Sequence, residues 1–111
     1  MDLVLENRAV GSWSVIRVAG ELDLHTAPQL RDHVISMVTD ERPRLALDLT
    51  DVGFMDSSSL GVLVSCLKRV RERGGDLVLI GVGGSPMKVF TLTGLDRVFD
   101  IVETPEQLPA A

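Results

Sequence analysis

The middle of the chain changes its hydrophobic period twice, and this change limits the folds that the chain can adopt. Every second residue is a leucine in the first stretch, as in a strand: Leu45, Leu47 and Leu49. Apolar residues then recur at helical spacing: Leu60, Leu63, Val64 and Leu67. The continuous apolar run 77–82 has the length of a strand that is buried on both faces. Strand, helix and strand in succession predict a β-α-β unit with parallel strands and a right-handed crossover.

The segments on either side extend this pattern along the chain. Upstream, residues 3–5 and 12–19 predict two antiparallel strands joined by a turn over residues 7–11, and Thr26 is expected to cap the first helix. Downstream, the pattern predicts a third helix, a last strand and a brief terminal helix, over residues 85–93, 99–102 and from 104 onwards. The order β-β-α-β-α-β-α-β-α indicates an α/β fold, with a mixed, largely parallel β-sheet packed with α-helices in one domain over residues 1–111. The sequence leaves the strand order open.

Charge and composition exclude several classes of partner. Sixteen acidic residues against 11 lysines and arginines give a formal net charge of −5. This balance argues against nucleic acid and against anionic membranes, since both require a basic surface. No apolar run approaches the roughly 20 residues of a membrane span, and the first residues lack the basic region of a signal peptide, so we expect a cytoplasmic protein. Cys66, His25 and His33 form no recognised ligand spacing, and neither a metal nor another cofactor is expected.

Three consecutive serines lie between the strand pattern and the second helix: Ser57, Ser58 and Ser59. In open α/β sheets, binding sites gather beyond the carboxyl ends of the strands, which is where this turn must lie. The helix that follows begins with unpaired amides and about half a positive charge. One serine is explained as an N-cap, but capping does not require the other two hydroxyls. The serine turn is therefore the candidate functional site.

Residues 54–62, Phe-Met-Asp-Ser-Ser-Ser-Leu-Gly-Val, resemble the signature loop of anti-sigma factor antagonists of the STAS family. The Gly-Glu-Leu-Asp stretch at 20–23 is similar to the sequence that leads into the first helix of that family. Residues 86–90 and 94–95 also resemble the family pattern. The resemblance covers nearly the whole chain and implies a STAS-like fold.

This resemblance implies a bacterial regulator of transcription that is not an enzyme. It would bind an anti-sigma factor with serine kinase activity and so release a sigma factor. Phosphorylation at Ser58, with Ser57 as the second choice, would break the complex, and a serine phosphatase would restore it. The residues expected to contact the partner are Asp23, Asp56, Ser57, Ser59 and Gly61. Asp56 is also expected to orient the serines, and Gly61 to allow close packing of the helix start; Ser59 replaces the usual glycine of the family.

Other interpretations remain open at this point. The same domain could be a module of a stress-signalling or other kinase-recruiting assembly. A phospho-aspartate receiver would need a metal-binding acidic cluster near the start of the chain, which offers Asp2 and Glu6 but no adjacent acidic pair. A serine hydrolase would need a base beside its nucleophile and a Gly-x-Ser-x-Gly turn, and the serine turn lacks that pattern. The glycine-rich residues 81–85 do not have the spacing of a nucleotide-binding loop.

Overall fold

The structure, a computed structural model, describes residues 3–38 and 43–110, so Asp2 lies outside the described part. The described strands form one sheet: β1 (Val4–Val10), β2 (Trp13–Leu22), β3 (Arg44–Met55), β4 (Asp76–Ile80) and β5 (Asp100–Val102). The α-helices connect the parallel strands: α1 (Ala27–Met37), α2 (Ser57–Glu72) and α3 (Gly84–Thr93). The predicted class, a mixed and largely parallel sheet packed with helices, is confirmed. None of these helices combines the length and the apolar character needed to cross a membrane.

The strands follow one another across the sheet in chain order, β1-β2-β3-β4-β5. The first pair, β1 and β2, is antiparallel, and each later pair is parallel. Every parallel connection steps to the adjacent strand in the same direction, so right-handed crossovers place all three helices on one face. The carboxyl ends of β2, β3 and β4 therefore meet at one edge of the sheet, where they lead into α1, α2 and α3.

The main core lies between the helices and one face of the sheet. The alternating leucines of β3 are buried there, as their period requires. The apolar stripe of α2 packs against them: Leu60, Leu63, Leu67 and Val70. Phe90 of α3 meets Phe99 edge to face, with the ring centroids 5.7 Å apart. The packing of α2 against β3 fixes the direction of α2 and hence the position of its first turn.

A smaller cluster covers the opposite face of the sheet: Trp13, Val15, Ala46, Val78 and Ile80. Leu108, in the segment after β5, packs against this cluster. The indole N–H of Trp13 donates to the carbonyl oxygen of Pro109 at 2.8 Å, and the Arg44 guanidinium lies 4.9 Å from the Trp13 ring centroid. The last described residues thus cross the face of the sheet that carries no helix.

Several predicted boundaries differ from the structure. Strand β2 runs on to Leu22, beyond the predicted end at residue 19, and β4 ends at Ile80 instead of residue 82. The turn expected over residues 7–11 is wrong, because β1 continues to Val10 and only Gly11 and Ser12 form the hairpin turn, with Gly11 at φ 59°. Strand β3 runs on to Met55, so Phe54 belongs to the strand and not to the serine turn. The predicted terminal helix is a single 3-10 turn, Pro105–Gln107, and a second such turn at Leu95–Arg97 was not predicted.

Candidate partner-docking site

Asp56 is the residue that starts helix α2. Its backbone is extended, with φ −108° and ψ 172°, and its carboxylate Oδ1 accepts the Ser59 N–H at 3.1 Å. The same oxygen accepts the Ser58 hydroxyl at 2.6 Å. An acceptor at this position satisfies an amide that the helix itself leaves unpaired. The side chain of Asp56 therefore fixes both the helix start and one of the serines.

The three serines occupy different environments although they are adjacent in sequence. Ser57 is exposed, and its hydroxyl has no hydrogen-bond partner among the described residues. Ser58 is also exposed, but its hydroxyl donates to Asp56. Ser59 is only 1% exposed and donates to the Asp56 carbonyl oxygen at 2.7 Å. Burial removes Ser59 from the surface that a partner can reach, because its side chain lies on the core face of α2.

The close packing expected at Gly61 is not found. A Cβ at this position would meet no atom within 4 Å, so close packing inside the chain does not require glycine here. The residue is exposed on the first turns of α2. Contact of Gly61 with a partner stays a prediction.

The loop between β2 and α1 lies next to the serine turn. Leu22 pairs with Met55 in the sheet, and the Leu22 carbonyl oxygen accepts the Asp56 N–H at 3.3 Å. Register shifts near the end of β2 accompany Gly20, whose φ of 119° favours glycine. The Gly-Glu-Leu-Asp stretch and the serines are thus brought together by pairing of two strands that lie far apart in sequence.

The carboxylate of Asp23 holds the loop between β2 and α1 in shape by accepting two of its backbone N–H groups. Its Oδ1 accepts the N–H of Thr26 at 3.0 Å and the N–H of His25 at 2.8 Å. These two hydrogen bonds hold the pKa of Asp23 below its ordinary value, and the bond from Thr26 has the larger effect. Thr26 is the N-cap residue of α1, as predicted, but the expected side-chain cap is absent: its hydroxyl donates to the Glu21 carbonyl oxygen at 2.6 Å and forms no hydrogen bond with the amides of α1. The hydroxyl is used to tie the loop to the end of β2.

Two apolar side chains at the same end of the sheet are exposed, and the sequence analysis did not find them. Leu24 follows Asp23 and is 69% exposed, and Phe54 near the end of β3 is 44% exposed. Exposed apolar area that is rimmed by polar residues can mark a protein-binding surface. In the sequence, Leu24 stands among polar residues after β2, and this position was the signal that could have identified it as exposed. We call the five residues Asp23, Leu24, Phe54, Ser57 and Ser58 the docking face.

Asp56→Ala is expected to lower the free energy of unfolding by about 1–2 kcal/mol, because the first turn of α2 loses its cap. Asp56→Asn keeps an acceptor for the Ser59 N–H and should restore most of the loss. Urea unfolding of the three proteins, compared at equal m-value, measures the difference. Equal stability of Asp56→Ala and the unchanged chain would show that the cap contributes nothing.

The acidic and histidine side chains are possible metal ligands. Among residues 3–38 and 43–110, no group of three or more histidine, cysteine, aspartate or glutamate side chains is placed to hold a metal ion, as the receiver interpretation required. His33 bonds to the Asn7 side chain at 2.7 Å.

Comparison with known proteins agrees with the fold described above. Residues 5–108 match the family model described as STAS domain. The chain is 40% identical over 86 residues to the anti-sigma-B factor antagonist of Listeria monocytogenes, covering 78% of this chain and 75% of that protein. It is similar to the crystal structure of an anti-sigma factor antagonist from Mycobacterium paratuberculosis, with a TM-score of 0.82, 29% identity and coverage of 94% and 88% of the two chains. It is also similar to the Bacillus cell fate determinant SpoIIAA in its phosphorylated form, with a TM-score of 0.68, 25% identity and coverage of 95% and 94%.

Proposed function

The chain belongs to the STAS domain family, and from this premise we propose that it is an anti-sigma factor antagonist, which binds an anti-sigma factor and so releases a sigma factor. Antagonists of this family are regulatory binding proteins and not enzymes. One observation carries the proposal: two exposed serines at a helix start share an edge of the sheet with the exposed side chains of Leu24 and Phe54. Apolar groups supply area for a protein partner, and the hydroxyls supply a site where charge can be added.

The proposed switch is phosphorylation of the docking face by a serine kinase activity of the anti-sigma factor, reversed by a serine phosphatase. A phosphoserine adds about −1.5 to −2 charges at neutral pH. Within the chain, the start of α2 attracts this charge while Asp56 repels it, so the two effects oppose each other. In a complex, the phosphate must also lose water and face the partner. The structure of a phosphorylated relative supports the idea that this fold tolerates a phosphate.

The two exposed hydroxyls are not equivalent as acceptors. The resemblance to the family placed Ser58 first and Ser57 second. The Ser58 hydroxyl donates to a carboxylate at 2.6 Å, a bond of the strong charge-assisted kind, and phosphorylation would remove that bond and place the phosphate beside Asp56. The Ser57 hydroxyl has no such bond among the described residues. We propose Ser58 as the first acceptor and Ser57 as the second, because the Asp56 carboxylate that accepts the Ser58 hydroxyl is placed to take its proton when a phosphate is transferred.

The test mixes the purified chain with anti-sigma factors of the kinase type, with and without ATP. We expect a complex without ATP, measured by calorimetry, and a single phosphate after ATP is added, located by mass spectrometry. Ser57→Ala and Ser58→Ala, made separately, show which hydroxyl is required, since only one should abolish labelling. Absence of a complex with every such factor would contradict the proposal and favour a module of a different kinase-recruiting assembly. A phosphate found on another residue would refute the proposed switch.

A further inference from the structure

A groove of about 270 Å³ runs between helices α1 and α2, away from the docking face. Its floor contains Ile35, which is 38% exposed, and the buried Cys66. Its rim carries three cations: Arg31 of α1, and Lys68 and Arg69 of α2. Arg31 lies close enough to Cys66 for its charge to act on the thiol. We call these residues the α1–α2 groove.

The charge of this groove is opposite to that of the chain. Its lining has three cations and one acid, Glu72, whereas the whole chain carries a formal net charge of −5. Lys68 and Arg69 form no ion pair within the described residues. Within residues 3–38 and 43–110, Arg31 forms an ion pair with the exposed carboxylate of Asp32, at 3.3 Å, and exposed pairs of this kind are weak. The three cations are therefore available to a ligand.

The helix dipoles account for the position of only some of the cations in the groove. Arg69 lies in the last turn of α2, where a cation suits the helix dipole. Arg31 lies in the second turn of α1, where the dipole gives a cation no advantage. Burial raises the pKa of the Cys66 thiol to about 11, so the floor stays uncharged at neutral pH. The result is an uncharged floor between cationic edges.

We propose that the α1–α2 groove docks an acidic amphipathic helix of a protein partner. A helix laid between two helices presents apolar residues at i, i+3 or i+4 to the floor, and its flanks face the rim. Glutamate or aspartate on those flanks would pair with the cations, and an arginine can bind a carboxylate through two parallel hydrogen bonds. Charge complementarity selects this partner over a neutral or basic helix.

This surface is separate from the switch. Lys68 lies 11 residues after Ser57 on the same helix, a separation of about 16 Å along the axis. Exposed charges at that distance are largely screened, since the Debye length is about 10 Å at 0.1 M salt. Docking in the groove should therefore be insensitive to a phosphate at Ser57 or Ser58. A partner could hold the protein by the groove in both states of the switch.

The test uses the full chain, labelled with nitrogen-15, and two synthetic 18-residue helical peptides. Both peptides have leucine at every third or fourth position, with glutamate at the polar positions of one and lysine at those of the other. We expect the glutamate peptide to shift the amide signals of groove residues, and the affinity to fall as salt is added. The lysine peptide should bind at least tenfold more weakly.

The matched variants are two double charge reversals. Lys68→Glu with Arg69→Glu should weaken binding of the glutamate peptide at least tenfold. Lys88→Glu with Arg97→Glu changes the net charge equally outside the groove and should leave binding unchanged within twofold. Signal shifts elsewhere, equal binding of both peptides, or equal effects of the two reversals would overturn the proposal. Dimerisation of the chain through the groove, seen by light scattering and lost in the first reversal, would overturn it in favour of a second copy.

Discussion

A phosphate on Ser57 or Ser58 is expected to weaken binding of the anti-sigma factor at least a hundredfold, while the free energy of unfolding changes by less than about 1 kcal/mol. Like charges across an interface can cost several kcal/mol, and about 1.4 kcal/mol corresponds to a factor of ten in affinity. Inside the chain, the attraction by the start of α2 is about 0.3–1 kcal/mol at an exposed site, and repulsion by Asp56 opposes it. The switch should therefore change binding far more than folding.

The measurement compares unmodified and singly phosphorylated chains by calorimetry for binding and by urea unfolding for stability. A phosphoserine introduced at Ser12 is the matched control, because it adds the same charge in the hairpin turn at the opposite end of the sheet. Its binding should stay within about twofold of the unmodified chain. The expectation is wrong if the phosphate at the docking face leaves affinity intact, or if affinity is lost only because the chain unfolds.

Truncation of both exposed apolar side chains, Leu24→Ala with Phe54→Ala, is expected to weaken binding of the unmodified chain by about tenfold to a hundredfold. Aromatic side chains often dominate interfaces, and truncating one at a hot spot costs about 2 kcal/mol or more. Because Leu24 is 69% and Phe54 44% exposed in the free chain, the loss of stability should be smaller than for a core truncation. Affinity and unfolding, measured on the same samples, separate the two effects.

Leu92 provides the control for this pair. It lies near the end of α3 and is 87% exposed, so it is apolar and accessible but outside the docking face. Leu92→Ala should leave affinity within about twofold. Equal losses in Leu92→Ala and in the double variant would show that the effect comes from general surface hydrophobicity. No loss in the double variant would remove Leu24 and Phe54 from the docking face.

The sequence predicted the elements whose pattern is local. The leucine alternation of β3 and the apolar stripe of α2 each follow from one period, and both are found in the structure. The extension of β3 to Met55 was missed, because Val52 and Gly53 break the alternation and the strand is continued by irregular pairing with β2. The strand order could not be predicted either, because it depends on how the helices pack on the sheet and not on the pattern of any one segment.

The candidate site shows the same division between local and distant causes. The serine turn was predicted, because strand and helix periods meet there. Ser59 is buried because it precedes Leu63 by four residues and so shares its face of α2, a signal that helix phase alone could have given. The hydroxyl of Thr26 could not be assigned from sequence, because its acceptor is a carbonyl oxygen at the end of β2.

The position of the only tryptophan has a practical consequence for measurement. Trp13 is buried on the face of the sheet that carries no helix, where its indole N–H is held by Pro109. Its fluorescence should therefore change when the chain unfolds and exposes that face. It should remain nearly constant when a protein binds at the docking face. Intrinsic emission can thus report unfolding of the chain even while a complex is present.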